Sequence, residues 1–175
     1  MTRKIWWSII SVLGLSIILM LSQLIHIPVL IVSEQQGEEV LIIPLLHGRE
    51  FDYQYLHSVQ KTPVQEHFIA LPNNQLLLTS TTYESFGVGL PFLPEEGKLH
   101  HVNGKYLLSD LKRKFDIINI GFMDLAQQEL SYHGQEYSFR DYFLSGTKLV
   151  VEVKDYTVPE LLRGHIRRVY IDGKQ

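Results

Sequence analysis

EFDYQYLHSVQKTPVQEHFIALPNNQLLLTSTTY, residues 50–83, decides how the chain is read. Phe51, Tyr53 and Tyr55 alternate with Asp52 and Gln54 at the period of two expected of a strand with one face in a core. VQEHFIAL and QLLLTSTTY flank Pro72-Asn73-Asn74, a cluster of turn formers. Three consecutive antiparallel strands follow from that spacing, with a polar loop between the first two. That loop and its flanks, HSVQKTPVQEHF (57–68), bring together two histidines, a serine, a lysine and a glutamate.

Register determines which of these face inward. An odd pairing sum between residues 51–58 and 64–71 sets Phe51, Tyr53, Tyr55 and His57 against Val64, Glu66, Phe68 and Ala70, with Glu66 beside His57. A slip of one residue turns Glu66 out and brings His67 in. The first register joins Phe68 to the aromatic face and is preferred; Gln65, His67, Ile69 and Leu71 offer the second.

Outward from the hairpin, strand signals continue. VLIV (29–32) and VLIIPLL (40–46) are short apolar runs, LHHV and KYLL flank Asn103-Gly104, and ELSY and QEYSF flank His133-Gly134. Asn-Gly is a strong hairpin signal because both residues tolerate positive φ. FDIINI (115–120) and KLVVEV (148–153) are further β-rich runs, giving about ten expected strands, while DLKRK (110–114) and VPELLR (158–163) each suit a single helical turn. The expected fold is all-β, an antiparallel sandwich or partly open barrel over residues 29–175.

Residues 1–28 read differently. From Ile5 to Val32 no Asp, Glu, Lys or Arg occurs, and the run from Ile5 to Ile25 is about 30 Å long as a helix at roughly 1.5 Å per residue. Gly14 and Ser16 lie inside the apolar run rather than after it, so an uncleaved anchor is favoured over a removed signal. Arg3 and Lys4 precede the run and Trp6 and Trp7 suit a headgroup interface. The expectation is a single transmembrane helix with a cytoplasmic N-terminus and an extracytoplasmic β domain.

Composition narrows function. Of 16 basic residues only Arg3 and Lys4 precede the apolar run, and all 19 acidic ones follow it, so the remainder is acidic and offers no basic patch for nucleic acid. The absence of cysteine excludes disulfides and thiolate chemistry. Three readings compete for the polar loop. Ser58 and His57 are adjacent and diverge on a strand, which disfavours a nucleophilic dyad, and no G-x-S-x-G elbow exists. Glu66-His67 and His100-His101 are likewise adjacent, which disfavours three or four converging metal ligands; no metal or other cofactor is expected. The third reading is a polar pair, His57 with Glu66, beneath a turn stiffened by Pro63.

A second unusual stretch, YESFGVGLPF (83–92), carries Gly87 and Gly89 before Leu90-Pro91. No helix signal follows, which weakens a phosphate-cradling reading. The meander places this stretch at the same end of the sheet as His57–Pro63.

Together, PLLHGREFDYQYLHSVQKTPVQEHF (44–68) and YESFGVGLP (83–91) resemble the signature of the domain of unknown function 1850 family. The motif positions here are His57, Ser58, Val59, Pro63, Val64, Glu66, Gly87, Gly89, Leu90 and Pro91, with Val88 where the family commonly has alanine. The resemblance implies a small extracytoplasmic protein encoded beside, or fused to, TAXI-type TRAP transporters, which import solutes such as organic acids. It implies no catalytic role. The combined expectation is a membrane-anchored, non-enzymatic accessory or binding module that meets transporter subunits or a small solute through His57, Ser58, Glu66, Gly87, Gly89 and Pro91. The alternative is a small ligand-binding protein or hydrolase using His57, Ser58 and Glu66 directly.

Overall fold

The computed structural model describes residues 2–37, 39–84 and 97–163. The chain opens with a helix, α1 (Thr2–Ser22), and continues as strands: β1 (His26–Glu34), β2 (Glu39–Pro44), β3 (Glu50–Leu56), β4 (Pro63–Ala70), β5 (Leu76–Tyr83) and β6 (Lys98–Val102). Then follow β7 (Lys105–Ser109), β8 (Arg113–Phe115), β9 (Ile118–Gly121), β10 (Glu129–Tyr132), β11 (Gln135–Ser138) and β12 (Lys148–Thr157). Two antiparallel sheets result. One has the order β2-β1-β12-β9; the other runs β11-β10-β3-β4-β5-β7-β6, with β8 also joined to β5. The architecture is a sandwich of two sheets.

One core lies between the sheets. Leu30, Val32, Leu149, Val151 and Val153 come from the first sheet, and Phe51, Val64, Phe68, Ala70, Leu76, Tyr83, Leu108 and Leu130 from the second, all buried. Alternation along each strand selects these side chains, and each fully buried large one stabilises the fold by roughly 1.5–3 kcal/mol. Phe51 and Phe68 stack across the hairpin with ring centroids 5.5 Å apart. Phe122, Phe139 and Phe143 form an edge-to-face cluster whose Phe139 also lies 6.1 Å from the Tyr53 ring.

The β3–β4 pairing has the odd sum: Phe51 opposes Phe68, Tyr53 opposes Glu66 and Tyr55 opposes Val64. Burial follows the aromatic set, as in the preferred register. Both glycine turns also form as read, with positive φ at Asn103 and Gly104 and at His133 and Gly134.

A bulge in β5 shapes the rest. His67 opposes Ser80 but Phe68 opposes Leu78, so Thr79 is the extra residue, and its hydroxyl donates to the His67 carbonyl at 3.1 Å. Such a bulge increases local twist. On one side of it β5 pairs with β8, on the other with β7.

Three expectations are corrected. DLKRK is not a helical turn: Arg113 and Lys114 enter β8, which pairs antiparallel with the start of β5. FDIINI is not one strand, because Phe115 ends β8 in one sheet and Ile118 begins β9 in the other. Twelve strands rather than about ten occur among the described residues. Residues 158–163 are helical, as read for VPELLR. Among the described residues no helix is long and apolar enough to cross a membrane, so the single transmembrane helix expected over residues 1–28 is not borne out: the helix there, α1, ends at Ser22.

Candidate functional site

The loop joining β3 to β4 is built around His57. Its backbone N–H donates to the Thr62 carbonyl at 2.9 Å, and its carbonyl accepts from the Lys61 N–H at 2.9 Å, closing a tight turn with Lys61 at φ 55°. The ring folds back over the turn it begins. Nδ1 accepts from the Val59 and Gln60 amides at 3.3 and 3.2 Å. This is the arrangement of an Asx-turn with an imidazole in place of a carboxamide. Two otherwise loose loop donors are satisfied, and His57 itself is only 7% exposed.

The same contacts fix the tautomer. With Nδ1 accepting, the neutral ring carries its proton on Nε2. A serine–histidine dyad needs the opposite arrangement, with Nε2 as the base and Nδ1–H held by an orienting group. Ser58 is exposed at the turn.

Glu66 points to the inner face, as the register requires, but its partner is not His57. Its carboxyl accepts from the Tyr55 hydroxyl and feels the charge of Arg113. Burial dominates nonetheless and pushes the carboxyl up to about 6, with Arg113 and the Tyr55 bond opposing the shift. Burial raises the Tyr55 and Tyr53 phenols as well. Across β5, Glu66 faces Thr81, whose buried hydroxyl has no hydrogen-bond partner among the described residues. The pairing of His57 with Glu66 beneath the turn is thus corrected: Glu66 stands opposite Tyr53, two same-face positions along the chain from His57, and each finds a nearer partner.

On the outer face His67 bonds Asp52 directly across the strands, with Glu50 3.9 Å away and the Gln65 amide on the other Asp52 oxygen at 3.0 Å. His100 and His101 lie on the exposed strand β6, where the His101 ring rests on Tyr106 at 4.7 Å. Among the described residues no three histidine, aspartate or glutamate side chains converge as a metal ion requires.

A cleft of about 470 Å³ opens beside the loop, lined by Tyr55, Leu56, His57, Ser58 and Lys61 on one side. Gly121, Met123, Leu125, Ala126 and Gln128 line the other. The second wall is a short 3₁₀ turn, Asp124–Ala126, ending at Gln127 in the left-handed region. Gln128 fixes this turn to the sandwich. Its oxygen accepts from the Met123 N–H at 2.8 Å, and its amide nitrogen donates to the Tyr53 hydroxyl at 2.8 Å and the Gly121 carbonyl at 3.2 Å. Asp124 turns away to Arg140, at 3.0 and 2.9 Å.

The structure therefore brings His57 and Ser58 to one cleft, with Glu66 behind it, linked through Tyr55. Gly87, Gly89 and Pro91 lie outside the described residues, as do Val88 and Leu90. Tyr83 opposes Val64, so the chain leaves β5 at the loop's end of the sheet. Sequence reading missed Gln128, Tyr53, Tyr55 and the 3₁₀ turn as parts of one site. AQQELSY carries no local mark of a buried amide; only the tyrosines, spaced by two on an inward face, gave a signal.

A protein-family model described as a domain of unknown function, DUF1850, matches residues 51–139. That span runs from the start of the hairpin to Phe139 and contains all the described residues that line the cleft. No curated protein and no solved structure matches the chain.

Proposed function

Since the chain belongs to the DUF1850 family, we propose that it is a non-enzymatic binding module, held at the outer face of a membrane and serving a TRAP-type solute uptake system. The cleft carries this reading. It is concave and of small-molecule size, and its rim exposes apolar side chains: Leu125 is 81% exposed, Met123 52%. Val59 in the adjoining turn and Leu144, next to the Ser145 hydroxyl that accepts from the Asp124 N–H, are also exposed. Clustered exposed apolar groups around a pocket favour docking of a partner or solute. The His57 tautomer supports binding over hydrolysis.

Membrane attachment rests on the N-terminal segment. Trp6, Trp7, Ile10, Val12, Leu15 and Ile18 are all more than half exposed and fall around the helix, so α1 presents apolar surface on every side. A helix apolar all round is covered by lipid or by protein. The outer-face location is inferred from the sequence rather than from α1: Arg3 and Lys4 precede the apolar run Ile5–Ile25, which extends beyond the end of the helix. The transporter link comes from the neighbourhood that the family resemblance implies.

Purification of tagged full-length protein from membranes in mild detergent tests the whole reading. TRAP transporter subunits are expected with the wild type and not with a Val59→Asp, Leu125→Asp variant of unchanged melting temperature. Recovery of the chain in the soluble fraction, without transporter subunits, contradicts it. A periplasmic-type reporter fused at the C-terminus is expected to be active; activity of a cytoplasmic one instead overturns the orientation.

A further inference from the structure

The cleft has a chemical polarity of its own. Among the described residues that line it, Lys61 is the only Lys, Arg, Asp or Glu, in a chain that is otherwise net acidic. Two acids beside the cleft are engaged with other partners. Asp124 sits in the wall's own 3₁₀ turn but forms a two-point contact with Arg140, and Glu66 stands behind the Tyr55 ring with its carboxyl taken by the Tyr55 hydroxyl. The backbone of Lys61 is held at positive φ by the bond from its N–H to the His57 carbonyl, and its exposed, flexible side chain lines the cleft. The turn that His57 organises thus sets one cation at the cleft.

The opposite wall makes a different demand. Gln128, the polar group there, has its oxygen and its amide nitrogen committed to Met123, Tyr53 and Gly121. A polar ligand body laid against that wall would lose water and gain no bond in return. Met123, Leu125 and Ala126 offer aliphatic and thioether surface instead. One cationic side chain and an apolar wall lining the same cleft of about 470 Å³ fit a singly charged head on an apolar body. A phosphate, which favours several cations or an arginine fork, fits less well.

We propose that the cleft binds a small amphipathic monocarboxylate, its anionic end at Lys61 and its apolar body along Met123, Leu125 and Ala126. This rests on the reading of the cleft as a binding site, and it names the ligand class. The contact is an ordinary non-covalent one, with Ser58 able to donate a further hydrogen bond to the carboxylate.

Isothermal titration of the purified full-length chain, in a polymer belt rather than detergent, tests the proposal with three probes of equal body: hexanoate, hexanol and hexylamine. Saturable one-site binding of hexanoate is expected, at least about tenfold tighter than hexanol, with hexylamine weakest. Lys61→Asn removes the charge while suiting the positive φ, and is expected to bring hexanoate down to the level of hexanol. Gly121→Val adds bulk to the wall where a Cβ meets no atom within 4 Å, so it should fold normally and weaken hexanoate and hexanol alike. Equal affinity for hexanoate and hexanol, preference for hexylamine, or an unchanged hexanoate affinity in Lys61→Asn overturns the proposal. So does binding only of a peptide with a free apolar C-terminus, which would make the occupant a polypeptide. If hexanoate fails to bind while transporter subunits still co-purify, the ligand class falls and the binding-module reading stands. If hexanoate binds as expected and no subunit co-purifies, the binding-site reading and the ligand class stand and the transporter link falls.

Discussion

The two faces of the β3–β4 hairpin use similar residues to opposite ends. Inside, His57 and Glu66 are drawn into the sandwich and each is held by a specific neighbour: loop amides for the histidine, the Tyr55 hydroxyl for the glutamate. Outside, His67 and Asp52 pair directly, with Glu50 and Gln65 nearby. On paper the outer pair is the stronger interaction, a histidine bonded to a carboxylate. Water nonetheless screens it, whereas burial magnifies everything on the inner face. Position relative to the core, not residue type, decides which histidine and which acid matter to the fold.

The largest expected effect is on the apolar part of the inner face. Phe68→Ala removes a ring buried against Phe51 and Phe115, and should cost about 3–5 kcal/mol by denaturant unfolding. Ile69→Ala, one residue along and facing outward, should cost much less. Similar losses for the two would dissolve the distinction between the faces.

Next comes Glu66. Its folded carboxyl lies near 6, above the unfolded value of 4.5, so the folded state binds the proton more tightly. The favourable contribution is complete below pH 4.5 and is lost as pH rises through 6. Glu66→Gln mimics the protonated form. It should raise stability at pH 7 by about 2 kcal/mol and flatten the dependence between pH 4.5 and 6. A destabilised Gln variant, or an unchanged slope, would show that the charge of Arg113 outweighs burial.

His57→Ala strips the acceptor from two loop amides. Those amides can still reach water, so a loss of about 1–2 kcal/mol is expected, measured by thermal unfolding. His57→Asn should recover most of it, since an asparagine oxygen can accept from the same following amides. No difference between Ala and Asn would mean that the ring matters for its bulk alone. Smallest is His67→Gln, expected within about 1 kcal/mol of wild type and weakened further by salt.

These differences also mark what was legible in the sequence. Strand register was legible because a slip would have removed Phe68 from the aromatic face, a penalty local enough to read from alternation. The Asn103-Gly104 and His133-Gly134 turns were legible because positive φ is written in residue type. The bulge at Thr79 was not: Thr79 looks like any β-former in QLLLTSTTY, and its role depends on the His67 carbonyl and on the exchange of β8 for β7 as neighbour. The division of FDIINI between two sheets was hidden for the same reason, since alternation does not say which sheet a strand joins. At the site, His57 and Ser58 stood out as polar residues beside a turn. Gln128 did not, because a buried amide is identified only by the distant atoms it holds, Tyr53 and Gly121 among them.

The account turns on His57 as the cap of its own loop, framing a cleft rather than attacking a substrate. Long-range proton–nitrogen NMR correlation of the histidine rings at neutral pH tests this most directly. The expected result is a His57 ring with its lone pair on Nδ1 and its proton on Nε2, a pattern weakened in a Pro substitution at Gln60 that removes one of the two donated amides. A proton on Nδ1 would leave Nε2 free to act as a base toward Ser58 and would contradict the account.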